Sequence, residues 1–176
     1  MTVTNRSETL RQQGVWASRT HAGTQVPLAW VRLLSAHARL TRPMNVALLA
    51  EHDLTLNDYE VLLHLSWAPA GRMTRTALAR SVHLTQSGIT RLLYGLARAG
   101  LVTSSTSATD RRAVEARLTD KGRERLRAAA ISHTRDVAAL FTDHFSAEEL
   151  AVLAELLGRL QEPAVADAPD PPDGAC

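Results

Sequence analysis

A chain of 176 residues can fold one domain with a real core and falls short of two comfortable ones. Hydrophobic residues make up 45% and charged residues 22%, an ordinary globular balance, and the one cysteine, Cys176, excludes a disulfide framework or a cysteine-based metal site. The net charge of +2 is unevenly spread: Gly71 to Arg127 holds 12 Lys/Arg against 4 Asp/Glu, whereas Asp136 to the end holds 1 against 9. A basic middle beside an acidic C-terminal segment is the footprint of a surface that meets polyanions, although chance clustering of solvated arginines would give the same count. No apolar run approaches the ~20 residues of a bilayer span. The opening stretch MTVTNRSETLRQQG lacks the apolar heart of a secretory signal, so a cytoplasmic protein is expected.

In chain order, residues 1–24 read as an N-terminal extension, with a short helix between Ser7 and Arg19 carrying Leu10, Val15 and Trp16. A folded domain is expected over 25–162. A long helix starts at Pro27, with Trp30, Leu33, Leu34, His37 and Leu40 at helical spacing. Pro43 should kink or interrupt it, because proline removes an internal hydrogen bond, and Val46 to Ala50 resumes the turn. Thr55 or Asn57 caps a second helix, Asp58 to Trp67, which Ala68-Pro69-Ala70-Gly71 ends. Two short helices, a β-hairpin and two long helices follow. Thr119 or Asp120 opens the first long helix. The second opens with Ser146 and Glu149 spaced as a capping box and continues with Leu150, Leu153, Leu156, Leu157 and Leu160 on one face. From 163 to 176 the sequence is acidic and proline-rich with no apolar pattern, and reads as a disordered tail.

The richest stretch lies between Thr74 and Thr119. Thr74 caps a helix with Ala77, Leu78 and Val82 on its buried side, His83-Leu84 forms a tight turn, and Thr85 caps a second helix: a helix-turn-helix. In that second helix Ile89, Leu92, Leu93 and Leu96 follow the i, i+3, i+4, i+7 rule. At about 100° per residue, Ser87, Thr90, Arg91, Tyr94 and Arg98 fall within roughly a 100° arc opposite. These side chains suit a major groove: Ser and Thr bond phosphates or bases, Gln86 can pair with adenine, and Arg91 with guanine. An ordinary amphipathic surface helix is the alternative, but such helices mix both charge signs and this arc holds no acid. Gly100 ends the helix. Leu101 to Ser105 reads as one strand, and Val114, Ala116 and Leu118 alternate inward on the return strand. The loop from Thr106 to Arg111, tipped with Asp110-Arg111-Arg112, makes the hairpin a wing. Arginines there can enter a narrow minor groove, and Asp110 can brace Arg112.

The wing sequence Asp110-Arg111-Arg112, Leu118-Thr119 and Gly122, together with the helix Thr85-Gln86-Ser87-Gly88-Ile89-Thr90-Arg91-Leu92 and the order of elements, resembles the MarR (multiple antibiotic resistance) family of regulators. The likeness runs from about Val26 to Gln161, with Ala116 where the family usually has Val, and Pro43 as a second departure. It implies a mainly α fold with a small β-hairpin wing, a winged helix-turn-helix whose N- and C-terminal helices form a homodimer. It further implies a sequence-specific transcriptional repressor of a pseudo-palindromic double-stranded operator, with Thr74, Thr85, Gln86, Ser87, Thr90, Arg91, Tyr94, Arg98, Asp110, Arg111 and Arg112 on DNA. Release by a small aromatic acid is also implied, in a cleft lined by Trp30, His37, Tyr59, Leu63 and Trp67, with Arg39 or Arg91 for a carboxylate. Trp30, Leu33 and His37 read equally well as dimer core.

No phosphate loop, nucleophile elbow or His-Glu-x-x-His motif occurs, and the seven histidines show no metal-ligand spacing. No enzyme, cofactor or metal is expected, and no membrane partner. A winged-helix module used for protein contacts, or a monomeric accessory to DNA transactions, is the rival reading.

Overall fold

The computed structural model describes residues 21–106 and 114–160. The helix expected between Ser7 and Arg19, the wing tip Asp110-Arg111-Arg112 and the tail from 163 lie outside them. By packing, the chain divides into two units, Met1–Pro43 and Met44–Cys176.

The first long helix, α1 (His21–His52), starts before Pro27 and does not stop at Pro43; both prolines lie inside it. This corrects the expected interruption. Pro43 removes one bond, to the carbonyl of Arg39, but both residues are exposed, where water can serve the orphaned oxygen. Helix α2 (Leu56–Trp67) is capped by Thr55, not Asn57. The Thr55 hydroxyl accepts from the Asp58 N–H at 3.1 Å, and the Asp58 carboxylate accepts from the Thr55 N–H at 2.9 Å. A single 3₁₀ turn, Pro69–Gly71, leads out of it.

A strand absent from the sequence reading follows, β1 (Arg72–Thr74), three residues long. Then come α3 (Arg75–Ser81), α4 (Gln86–Arg98), β2 (Val102–Thr106), β3 (Val114–Leu118), α5 (Asp120–Thr142) and α6 (Ala147–Gly158). Thr106, the expected start of the loop, belongs to β2, one residue beyond the expected end of that strand. The three strands form an antiparallel sheet of order β1-β3-β2.

The core of the second unit gathers Leu62 and Leu65 from α2, Leu78 from α3, Ile89 and Leu93 from α4, Val102 from β2, and Ala116 and Leu118 from β3. Leu126 and Ala129 of α5 close it. Ala116 is fully buried, so the small residue at that position sits in a closed interior.

One joint positions the hairpin. Thr119 caps α5, its hydroxyl accepting from the Gly122 N–H at 2.9 Å and donating toward the Gly100 and Leu101 carbonyls at 2.8 and 3.0 Å. Gly122 must be glycine for this approach: a Cβ there would stand 2.1 Å from the Leu101 carbonyl oxygen. Gly100, at φ 74, supplies the left-handed residue after α4.

Candidate nucleic-acid interface

Helices α3 and α4 and the turn between them are built by local capping. The Thr74 hydroxyl accepts from the Ala77 N–H at 3.2 Å, and the Thr85 hydroxyl from the Gly88 N–H at 3.1 Å. Between them the Leu84 N–H donates to the Ala79 carbonyl at 2.9 Å, and His83 takes a left-handed backbone, φ 52. A non-glycine residue pays strain there, although histidine tolerates it better than most. Lys121 donates to the Ala99 carbonyl at 2.8 Å, which serves an orphaned oxygen at the end of α4.

Burial sorts α4 as its periodicity predicts. Ile89, Leu93 and Leu96 are buried and Leu92 packs partly against them. Gln86, Ser87, Thr90, Arg91, Tyr94 and Arg98 are all exposed. Thr90 donates its hydroxyl proton to the Gln86 carbonyl at 2.7 Å, which leaves its oxygen as an acceptor. Thr85 and Ser87 hydroxyls lie 3.2 Å apart. The Arg98 guanidinium carbon stands 5.9 Å over the Tyr94 ring, which holds a long side chain close to the helix. Among the described residues Arg91 takes part in no ion pair. The helix therefore shows solvent a surface of hydroxyls, an amide, a phenol and two guanidiniums, with no carboxylate. Thr74 differs from the other sequence candidates: it is half-buried and engaged in its cap. Beyond α4 the chain rises directly into the hairpin of β2 and β3.

The five residues expected to line a ligand cleft fall in both units. Trp30, 54% exposed, and exposed His37 belong to the first. In the second, Tyr59 is buried with its ring 4.6 Å from that of His133, Leu63 packs on the core, and half-buried Trp67 meets His64 edge-on at 5.4 Å. Burial, then the His83 charge, holds the His64 imidazole below its ordinary pKa; burial does the same to His133, with Asp136 pulling the other way. None of the five lines the cleft of about 540 Å³ formed by Glu51, His52, Asp53, Lys121, Glu124 and Arg125 with Ala50 and Ala128. At its edge the His52 ring meets the Ser132 hydroxyl at 2.7 Å, and Arg125 donates to the His52 carbonyl. Sequence reading missed this tie, since its partners lie far apart in the chain. Among the described residues no group of three His, Cys, Asp or Glu side chains could hold a metal, and no helix is long and apolar enough to cross a membrane.

Known proteins share this arrangement. A model of the MarR family matches residues 52–113. The HTH-type transcriptional repressor YetL of Bacillus subtilis is 32% identical over 113 residues, 64% of this chain and 67% of the relative. Among solved structures, AbsC, a MarR family transcriptional regulator from Streptomyces coelicolor, superposes with a TM-score of 0.71 at 29% identity, covering 82% of this chain and 95% of that one. Sco3205, another MarR family regulator of that organism, solved in complex with DNA, gives 0.74 at 26% identity over 87% and 96%.

Proposed function

The chain belongs to the MarR family of transcriptional regulators, and we propose from that premise that it is a homodimeric, sequence-specific repressor of transcription. The observation that carries the reading is the α4 surface: a rigid, doubly capped helix that offers hydroxyls, an amide and arginines, without one acid, to the outside. Arg91 is assigned to a guanine edge and Gln86 to an adenine, the pairings their donor geometry favours. Ser87, Thr85 and Thr90 take phosphate or base edges, Tyr94 and Arg98 follow along the groove, and Arg111 and Arg112, with Asp110 as brace, reach the minor groove. Thr74 serves this surface indirectly, by fixing α3. That Sco3205 has been captured with DNA, and that YetL is a repressor, supports the same direction.

Uncovered apolar surface within each unit supports the dimer. In the first, Val26, Trp30, Leu33 and Leu34 share one helix face and stand 37–63% exposed. In the second, α6 buries no residue, and Val152, Leu156, Leu157 and Leu160 stand 39–71% exposed. Self-association about a two-fold axis covers such faces and sets two copies of α4 roughly 34–36 Å apart, one turn of DNA. The working domain is assigned to 25–162. Release by a small aromatic acid is the regulatory part of the proposal; it requires an effector with different affinities for the DNA-competent and DNA-incompetent states. In the second unit Trp67 and Leu63 are the residues assigned to contact it.

A mobility-shift assay on DNA flanking the coding region, repeated with a panel of aromatic acids, tests the whole reading. Tight, sequence-dependent binding that an acid relieves is the expected result. Binding without sequence preference, by a protein monomeric in light scattering, sinks it and favours the protein-contact module.

A further inference from the structure

The outer face of the sheet carries two arginines with no evident task in the fold. In the β1·β3 pairing Arg72 stands directly opposite Arg117, and in β2·β3 Arg117 stands opposite Thr103. Directly opposed residues share a face, so Thr103, Arg117 and Arg72 form one row across all three strands. All three are exposed, whereas Ala116 and Leu118 on the other face of β3 are buried. Like charges placed opposite one another weaken a sheet. Among the described residues neither arginine has an ion-pair partner to relieve this. Glu115, the acid on that face, stands opposite Thr74 and Ser105 rather than opposite either guanidinium. Nearby Arg123 shows the contrast: it lies over Gly71 and pairs with Asp120 at 3.8 Å, a structural post with a counter-ion.

We propose that Arg72 and Arg117 form a second contact with the DNA, a clamp on the phosphodiester backbone at the root of the wing. This rests on the DNA-binding reading above and extends it to a face that reading leaves idle. Three observations favour a phosphate backbone as the occupant. The charge is complementary, two guanidiniums that form no ion pair among the described residues against a polyanion. The chemistry is generic, since arginine forks fit phosphate oxygens and Thr103 adds a hydroxyl to the same row. The row is also continuous with the interface: Thr103 follows the end of α4 within β2, and Arg72 shares its strand face with Thr74, the cap of α3. A backbone clamp carries no sequence information; it raises affinity and fixes the register in which α4 meets the bases.

Salt dependence separates this from the reading helix. Each phosphate neutralised contributes about 0.9 to the slope of log K against log salt. The double variant Arg72→Ala/Arg117→Ala should therefore lower that slope by about 3.6 in a dimer carrying both changes in both copies. The ratio of operator to scrambled-DNA affinity should stay as it was, and Arg72→Lys/Arg117→Lys should keep most of the slope. Arg159→Ala, which removes a charge at the C-cap of α6, should leave the slope unchanged. An unchanged slope in the alanine pair, or an equal drop in Arg159→Ala, overturns the clamp. Wild-type protein that fails to bind DNA overturns instead the reading on which the clamp rests. If the alanine pair does not fold, Arg72→Gln alone should show half the slope change, and its absence there is equally decisive.

Discussion

Helices α4 and α6 are built alike and finished oppositely. Both are short amphipathic helices opened by a hydroxyl cap, Thr85 for one and Ser146 for the other. Helix α4 turns Ile89, Leu93 and Leu96 into the core and keeps its outer surface free of acids. Helix α6 buries no residue fully, leaves Val152, Leu156 and Leu157 exposed, and carries Glu148, Glu149 and Glu155. At its first turn the Glu148 carboxyl is held below the ordinary range, chiefly by a backbone hydrogen bond and then by the Ser146 hydroxyl. The same capping rules therefore serve two kinds of surface. A helix whose apolar stripe is already satisfied is free to specialise its polar side; one whose apolar stripe is open needs a second apolar surface, and its acids suit it poorly to a polyanion.

The largest test of that contrast removes the open stripe. Leu156→Asp should leave the winged-helix core folded, by circular dichroism, and convert the proposed dimer to monomer in sedimentation. Burying one leucine contributes about 1.5–3 kcal/mol, and a two-fold interface repeats the loss. A dimer of unchanged stability would mean that α6 faces solvent. Next comes the specialised polar side. Arg91→Ala should weaken operator binding by about 1–3 kcal/mol per contact, twice per dimer, with melting unaltered. Measured by anisotropy on operator and scrambled DNA, the loss should fall mainly on the operator. Equal loss on both would move Arg91 from base reading to phosphate contact.

What could be read in the sequence was local. The stripe and caps of α4, the Thr119 cap and the capping box of α6 all rest on residues within one or two turns of each other, so their spacing reports them. Three things were not local. Strand β1 is three residues long and shows no alternation of its own; only pairing with β3 makes it a strand. The opposition of Arg72 and Arg117 is set by that same register, and nothing in either neighbourhood announces it. Pro43 was read by its missing donor, but whether a helix survives that loss depends on whether the freed carbonyl meets water. Tyr59 makes the same point for the expected cleft: its position in α2 follows from periodicity, while its burial against His133 belongs to the packing of α5.

Glycines sharpen the difference between a constrained joint and an open face. Gly122→Ala should destabilise the fold by about 1–3 kcal/mol, because backbone at Leu101 has to move, and lower the melting temperature accordingly. Gly95→Ala, on the exposed side of α4 where the new methyl meets nothing within 4 Å beyond its chain neighbours and the helix's own backbone, should raise stability by about 0.5–1 kcal/mol. If both changes lower the melting temperature alike, the crowding at Gly122 is not what selects glycine.

The smallest expected effect concerns pH, and it probes the core behind α4. Burial depresses the imidazoles of His133 and His64 in the folded protein. As pH falls, the unfolded chain therefore takes up these protons first. Their contribution to stability is full above an ordinary histidine pKa of about 6.5 and is lost as pH drops from there toward the folded values. Both rings remain partly open to water, so screening keeps the change modest. Melting followed at pH 7.5 and 5.5 should show a lower midpoint at the acid end. His133→Gln, which removes one titrating ring beside Tyr59, should narrow the difference whatever its own stability. A wild-type midpoint independent of pH would mean that the α2–α5 contact admits the charged imidazole, and that this side of the domain is softer than the face that carries α4.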